Sequence, residues 1–296
     1  SLSVTGYTLT PTFTSSTTNY ALTVPSSVSS ITVNATKNHS AASVSGTGTK
    51  TLAAGLNAIK ITVTAEDGNT KEYVINVKRM TVDTVSLTAV NTTYTGSAIA
   101  ANTATAKSGT AITYTYYSTT NCTGTALSGA PTNVGNYSVK ATSKGNTDYE
   151  SGSICVQHTI TQGTPTISLD KKEATYTGSQ IVSNTATAKN PNGTAVTLSY
   201  TYAYYSGTSC SGTALSGAPT NVGSYSVKAT SAATTNLKSA TSSCAVLTIG
   251  KANDTVTLTE KTATYTGSAI EANKATSVSG SAITYTYYSS CGGTAL

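Results

Sequence analysis

Apolar and polar residues alternate singly along much of this chain, and a period of two places successive side chains on opposite faces of a β-strand. In the first eighty residues the alternation falls into short runs at residues 20–24, 31–35, 57–65 and 72–77, each predicting a strand. The last two runs flank Asp67-Gly68, a pair that tolerates positive φ and predicts a tight hairpin. Further on, Ile112-Thr113-Tyr114-Thr115-Tyr116-Tyr117 alternates so that Ile112, Tyr114 and Tyr116 share one face. No long stretch carries a helical period. The pattern predicts an all-β protein of packed sheets.

Composition narrows the class. Only 9% of the 296 residues are charged, and Tyr supplies 19 aromatic side chains against one Phe and no Trp. Abundant Ser and Thr add to the bias toward strand-compatible residues. The net charge of +6 comes from 17 basic and 11 acidic residues, with no basic run or stripe. That excludes a nucleic-acid partner, and the lack of an apolar run of bilayer length excludes membrane insertion of this segment.

The cysteines recur in step with the surrounding sequence. Cys122 in YYSTTNCTGTAL and Cys155 in SICVQHTI return as Cys210 in YYSGTSCSGTAL and Cys244 in SSCAVLTI. The pairs lie 33 and 34 residues apart, and pairing across repeats would break that symmetry. Cys122 with Cys155, and Cys210 with Cys244, are therefore the expected disulfides. Cys291 in YYSSCGGTAL begins the framework a third time with no second cysteine after it, so it is expected to be unpaired by truncation of a longer protein. Recurrent disulfides imply an oxidising compartment: extracellular, at the cell surface or in the cell wall.

The chain divides by wording into residues 1–80, 81–162, 163–250 and a partial unit, 251–296. The first, with GYTLTPTFTSSTTNYALTVPSSVSSITVNAT and GTGTKTLAAGLNAIKITVTAEDGNTKEYVINVKR, resembles the cadherin-like β-sandwich domain of bacterial surface proteins. The others open on YTGSAI at Tyr94, YTGSQI at Tyr176 and YTGSAI at Tyr265, and both full copies carry ALSGAPTNVG before a YSVKATS strand. These resemble the immunoglobulin-like MBG repeats of bacterial surface adhesins. Their spacings of 82 and 89 residues differ by an insertion that contains Asn190-Pro191-Asn192-Gly193, read as a variable turn. The resemblance implies tandem Ig-like and cadherin-like β-sandwiches arranged end to end. Tyr137 and Tyr225 then stand where an Ig-like sandwich has its tyrosine corner, hydroxyls tied back to upstream backbone. Val139 and Val227 occupy the place of a core cysteine in an antibody domain, so these disulfides depart from the antibody pattern.

Candidate chemistry is sparse. His39 and His158 do not recur between repeats, and nothing fixes a nucleophile, base and orienting acid together, so no enzyme is expected. Calcium is disfavoured because Glu66 and Asp67 sit at a hairpin turn without a DxD-like cluster, and zinc because no C-x-x-C pair occurs. No cofactor is expected. A lysine-asparagine amide cross-link is disfavoured because Lys261 aligns with Lys172 in the second repeat but with Val90 in the first. The tyrosine row is read first as core packing and second as a surface for sugars or proteins, since Trp is absent. The function expected is a non-enzymatic, disulfide-stabilised stalk or spacer of a bacterial adhesin. The alternatives are a module binding glycan or protein of a host or neighbouring cell, and an accessory region of a large surface hydrolase.

Overall fold

A computed structural model describes residues 1–296 as an all-β chain of tandem sandwiches. In the first sandwich, strands Gly55–Thr64 and Thr70–Arg79 form a long hairpin across the Asp67-Gly68 turn. Gly68 takes φ +84°, and the Asp67 carboxylate accepts the Asn69 amide at 3.1 Å, which closes the reversal locally. Asn19–Val24 pairs parallel with Thr70–Arg79, and Ser43–Ser45 completes that sheet beside Gly55–Thr64. The facing sheet holds Leu2–Val4, Ser30–Ala35 and Gly48–Thr51. Alternation decides what is inside: Tyr20, Leu22 and Val24 are buried while Asn19, Ala21 and Thr23 face out. With Val33, Ile61, Ile75 and Val77 they close the core between the sheets.

The next two sandwiches share one main sheet design. In residues 81–162 the order is Val90–Thr93, Ser153–Thr161, Gly135–Ser143, Ile112–Tyr117; in residues 163–250 it is Lys172–Thr175, Ala245–Gly250, Gly223–Ser231, Tyr200–Ser206. In each the first strand of that order lies parallel to the second, and the remaining neighbours are antiparallel. Val139 and Ala141, and their counterparts Val227 and Ala229, are fully buried at the centre of each main sheet. A second, smaller layer covers them: Val85–Ser86 with Thr105–Ala106, and Thr166–Ser168 with Thr187–Lys189 and Ala195–Val196.

The chain separates into two compact units. The first spans residues 1–164 and takes in two short loops, 190–194 and 234–238; the second holds residues 165–189, 195–233 and 239–296. The Asn190-Pro191-Asn192-Gly193 insertion therefore does more than lengthen a turn. Within the first unit, the Asn192 amide donates to Thr95 O at 3.0 Å and its side chain to Ser97 Oγ at 2.9 Å, on the YTGS turn. The Asn236 side chain accepts the Val134 amide at 2.9 Å and donates to Asn133 Oδ1 at 3.0 Å.

Residues 251–296 supply an internal control on what makes a strand. Ile-Thr-Tyr-Thr-Tyr-Tyr occurs at 112–117 and again at 283–288. The first copy is a strand along Gly135–Ser143, whereas the second has no such neighbour and makes only a bridge from Tyr288 to Ala295. Identical propensity yields a strand only where a partner takes up its backbone groups.

Candidate functional site

The densest side-chain organisation in the repeats lies on the outer face of each main sheet. After Ile112–Tyr117 the chain turns through Cys122 at φ +57°, a left-handed conformation that costs a residue with a Cβ about 1–2 kcal/mol. Cys210 sits likewise at φ +48°. Two interactions hold each loop there. The Cys122 amide donates to Ser138 Oγ at 2.8 Å, and Ser138 Oγ donates to Thr119 O at 2.7 Å; the Cys210 amide donates to Ser226 Oγ at 2.8 Å. Both serines are fully buried although they face away from the core, because the loop lies over them. The covalent tie follows: Cys122 is bonded to Cys155 across a Cα separation of 6.1 Å, and Cys210 to Cys244 across 5.8 Å. Cys155 stands opposite Lys140, so the bond runs from the loop over the middle strand to the closing strand. Each disulfide is a clasp on the solvent side of its sheet, and Cys291 is free and exposed.

The tyrosine row works from the other face. Tyr116 Oη accepts the Ala101 amide at 2.8 Å, and Tyr114 Oη accepts the Ala104 amide at 2.7 Å. Tyr204 and Tyr202 do the same for Ser183 and Ala186 at 3.0 and 2.9 Å, and Tyr287 and Tyr285 for Ala272 and Ala275 at 3.0 and 2.6 Å. The segments after YTGS carry most of their length outside any ladder, and the phenols take the amides a partner strand would have taken. An asparagine two residues before the alanine that meets the first tyrosine fixes the same segment. Asn102, Asn184 and Asn273 donate to the backbone oxygens of Thr88 and Ala89, of Lys171, and of Thr259 and Glu260. These tyrosines are structural acceptors, and their hydroxyls are already committed. Tyr137 Oη donates to Asn133 O at 3.1 Å and Tyr225 Oη to Asn221 O at 3.0 Å. The Tyr137 ring lies over Gly135, where a Cβ would come within 3.0 Å of it.

A third cluster joins the first sandwich to the first repeat inside the first unit. The Glu150 carboxylate accepts the Ser26 amide at 3.0 Å and the Ser26 hydroxyl, while Arg79 donates to Ser26 O at 2.6 Å and to Leu52 O at 3.0 Å. Lys78 pairs with Asp148, and Thr81–Val82 lies parallel to Tyr149–Glu150, so the boundary between the two wordings is itself paired strand. The Ser26 hydroxyl and then its amide hold the Glu150 pKa below the ordinary 4.5. Asp83 is buried, which opposes ionisation, but hydrogen bonds from Ser108, side chain and backbone, and from Ser143 outweigh burial and keep its pKa below the ordinary 3.8. Asp254, exposed, is drawn down to about 2 by the hydroxyls of Ser277 and Ser279. Serines occupy all three of these acids, Glu150, Asp83 and Asp254.

The other residues singled out in the sequence stay apart. His39 is exposed, whereas His158 is fully buried with neither ring nitrogen hydrogen-bonded. Glu66 and Asp67 remain in the hairpin turn, and no group of three His, Cys, Asp or Glu residues is placed to hold a metal ion. Lys172 and Lys261 each donate to a backbone oxygen, of Val182 and Glu271. No helix is long and apolar enough to cross a membrane. Ser138, Ser226 and the recurring asparagines escape a first reading because Ser and Asn are so common. Their recurrence at one place in each repeat is the signal that marks them.

Comparison with known proteins agrees with this layout. Residues 1–80 match the family model of the cadherin-like beta sandwich domain, and residues 83–162 match that of the MBG domain. None of the curated proteins matches the chain. Among solved structures, protocadherin gamma B2 extracellular cadherin domains 3-6 align at 12% identity over 86% of this chain and 76% of that one, with a TM-score of 0.27. Drosophila N-cadherin EC1-4 aligns at 12% identity over 77% and 72%, TM-score 0.26, and an I-band fragment of titin at 10% over 76% and 92%, TM-score 0.35. Domains of the matched kinds are typically non-enzymatic, and with two disulfides they fit a structural or adhesive extracellular module. The chain thus carries a cadherin-like β-sandwich domain followed by an MBG domain.

Proposed function

We propose that this segment is a non-enzymatic, force-bearing spacer of a bacterial cell-surface adhesin, built of units at residues 1–80, 81–162, 163–250 and 251–296. The observation that carries the reading is the parallel pairing, within each main sheet, of the strand earliest in the chain with the strand latest in it. Asn19–Val24 runs parallel to Thr70–Arg79, Val90–Thr93 to Ser153–Thr161, and Lys172–Thr175 to Ala245–Gly250. Tension from the two ends, once it reaches the main sheet past the short leading strand of the facing layer, pulls the paired strands in opposite directions along their length. Their ladder hydrogen bonds must then shear together, whereas an antiparallel hairpin pulled from its open end unzips one pair at a time. The Ser26–Glu150–Arg79 cluster adds a joint without slack, and each clasp keeps its enclosed loop from being drawn out. This role uses no pocket, no metal and no free tyrosine hydroxyl.

The test is single-molecule pulling of the chain in two geometries. Tension applied end to end should need distinctly higher force to open residues 83–162 than tension applied through handles on Tyr117 and Asn136, which peels Ile112–Tyr117 from Gly135–Ser143. Reductant should lengthen each clasped repeat at full extension by about 110 Å, the span of the 33 or 34 residues it encloses. Equal forces in the two geometries would sink the force-bearing reading, and an unchanged extension would sink the shielding role of the clasps.

A further inference from the structure

We infer that His158 makes the first repeat the acid-labile member of the tandem: protonation of its ring releases the Val90–Thr93 and Ser153–Thr161 pair while the second repeat stays closed. The ring sits in that strand pair, opposite Val90 on one side and Tyr137 on the other, and is fully buried. Neither nitrogen has a hydrogen-bond partner, and the Tyr116 ring meets it edge-on at 5.7 Å between centroids. An imidazolium carries two N–H donors and a full charge, and this site offers neither an acceptor nor a counter-ion.

The groups around it leave the charge uncompensated. Strand Val90–Thr93 contributes Val90, and the core on the inner side is Val85, Leu87, Ala104, Val139 and Ala141. The phenols nearest it are Tyr137 on the flanking strand and Tyr116 on the strand beyond, and their hydroxyls are engaged with Asn133 and Ala101. Lys140 stands opposite Cys155 on the outer face, and the one buried carboxylate of the inner side, Asp83, is held by Ser108 and Ser143, six residues along the strand from the Tyr137 that pairs with His158. Burial alone pushes the His158 pKa below its ordinary 6.5. The second repeat is the comparison: Leu247 occupies the same register, opposite Lys172 and Tyr225, and is fully buried with nothing to protonate.

The sign follows from linkage. A histidine whose folded pKa is depressed binds more protons when unfolded, so stability is complete above about pH 6.5 and is lost as pH falls from there toward the folded value. Asp83 and Glu150, both held below their ordinary 3.8 and 4.5, stay ionised through this window.

The experiment is native-state amide exchange on the whole 296-residue chain at pH 7.5, 6.5 and 5.5, corrected for intrinsic rates. The opening constant read at Val156, His158 and Ile160 should rise by up to about fivefold between pH 6.5 and 5.5, and that at Ala245, Leu247 and Ile249 should stay level. His158→Leu should abolish the response. A response below twofold, an equal response in both repeats, or one that persists in His158→Leu overturns the inference. Should His158→Leu fail to fold, the two repeats of the unaltered chain still decide it. No load is applied, so the result is independent of the spacer reading.

Discussion

Cutting one clasp gives the sharpest test of how these repeats are held. Replacing Cys122 and Cys155 together by Ser frees a closed loop of 33 residues. Loop-closure entropy for that length puts the loss at about 3.7 kcal/mol at 25 °C, roughly 500-fold in the unfolding equilibrium. The structure adds a second step. Cys122 holds φ +57°, and once the bond is gone nothing covalent compensates that conformation. Cys122→Gly with Cys155→Ser should therefore recover about 1 kcal/mol over the double serine variant, because glycine adopts the left-handed region freely. Unfolding of a tandem is not two-state, so the readout is exchange protection of Ser153–Thr161, with Ala245–Gly250 as the untouched reference in the same molecule. Loss of protection below about fivefold, or an equal loss at Ala245–Gly250, would refute the loop-closure account. A glycine variant no better than the serine one would refute the role assigned to the Cys122 backbone.

The tyrosine row and the joint yield two further predictions. Tyr116→Phe leaves the Ala101 amide without its acceptor and should cost about 1–3 kcal/mol, whereas Tyr114→Phe, on a side chain 36% exposed where water can substitute, should cost less than about 1 kcal/mol; exchange protection of Gly135–Ser143, with Gly223–Ser231 as the untouched reference, ranks them, and the reverse order would contradict the assignment. Glu150 has a depressed folded pKa, so its hold on Ser26 is complete above about pH 4.5 and is lost as pH falls through the folded value; the Ser26 amide shift should titrate below pH 4.5 and lose that titration in Glu150→Gln.

Much of the architecture was legible in the residues because alternation and repetition are strong signals. The runs at 20–24, 31–35, 57–65 and 72–77 lie in observed strands but for Ala65, and those strands reach one to two residues beyond the runs at most other ends. Leu2–Val4, Ser43–Ser45 and Gly48–Thr51 were not legible. They are three or four residues long, too short for a period to register, and their positions depend on neighbours distant in sequence. The paired segments Thr81–Val82 and Tyr149–Glu150 were missed for the same reason. The tyrosine row was read as core; Ile112 and Tyr116 pack there, whereas Tyr114 is exposed. That each hydroxyl takes a backbone amide depends on where residues 98–104 run, which no local pattern encodes.

The placement of the clasps explains their number. The cysteine-free first sandwich closes a single core around fourteen buried side chains, among them Tyr20, Ile31, Ile61, Tyr73 and Ile75. The first repeat, of similar length, gathers six, two of them alanines, and the second repeat divides its core into clusters of six and four. Buried apolar area is the main favourable term in folding, so sandwiches with so small a core stand closer to the conformational entropy that opposes them. Acting on the unfolded state, a disulfide adds stability without needing core volume. It can therefore lie on the outer face, over Ser138 or Ser226, and leave Val139, Ala141, Val227 and Ala229 to fill the interior. A cysteine pair between the sheets, at Val139 or Val227, would have displaced the apolar side chains these small cores need most.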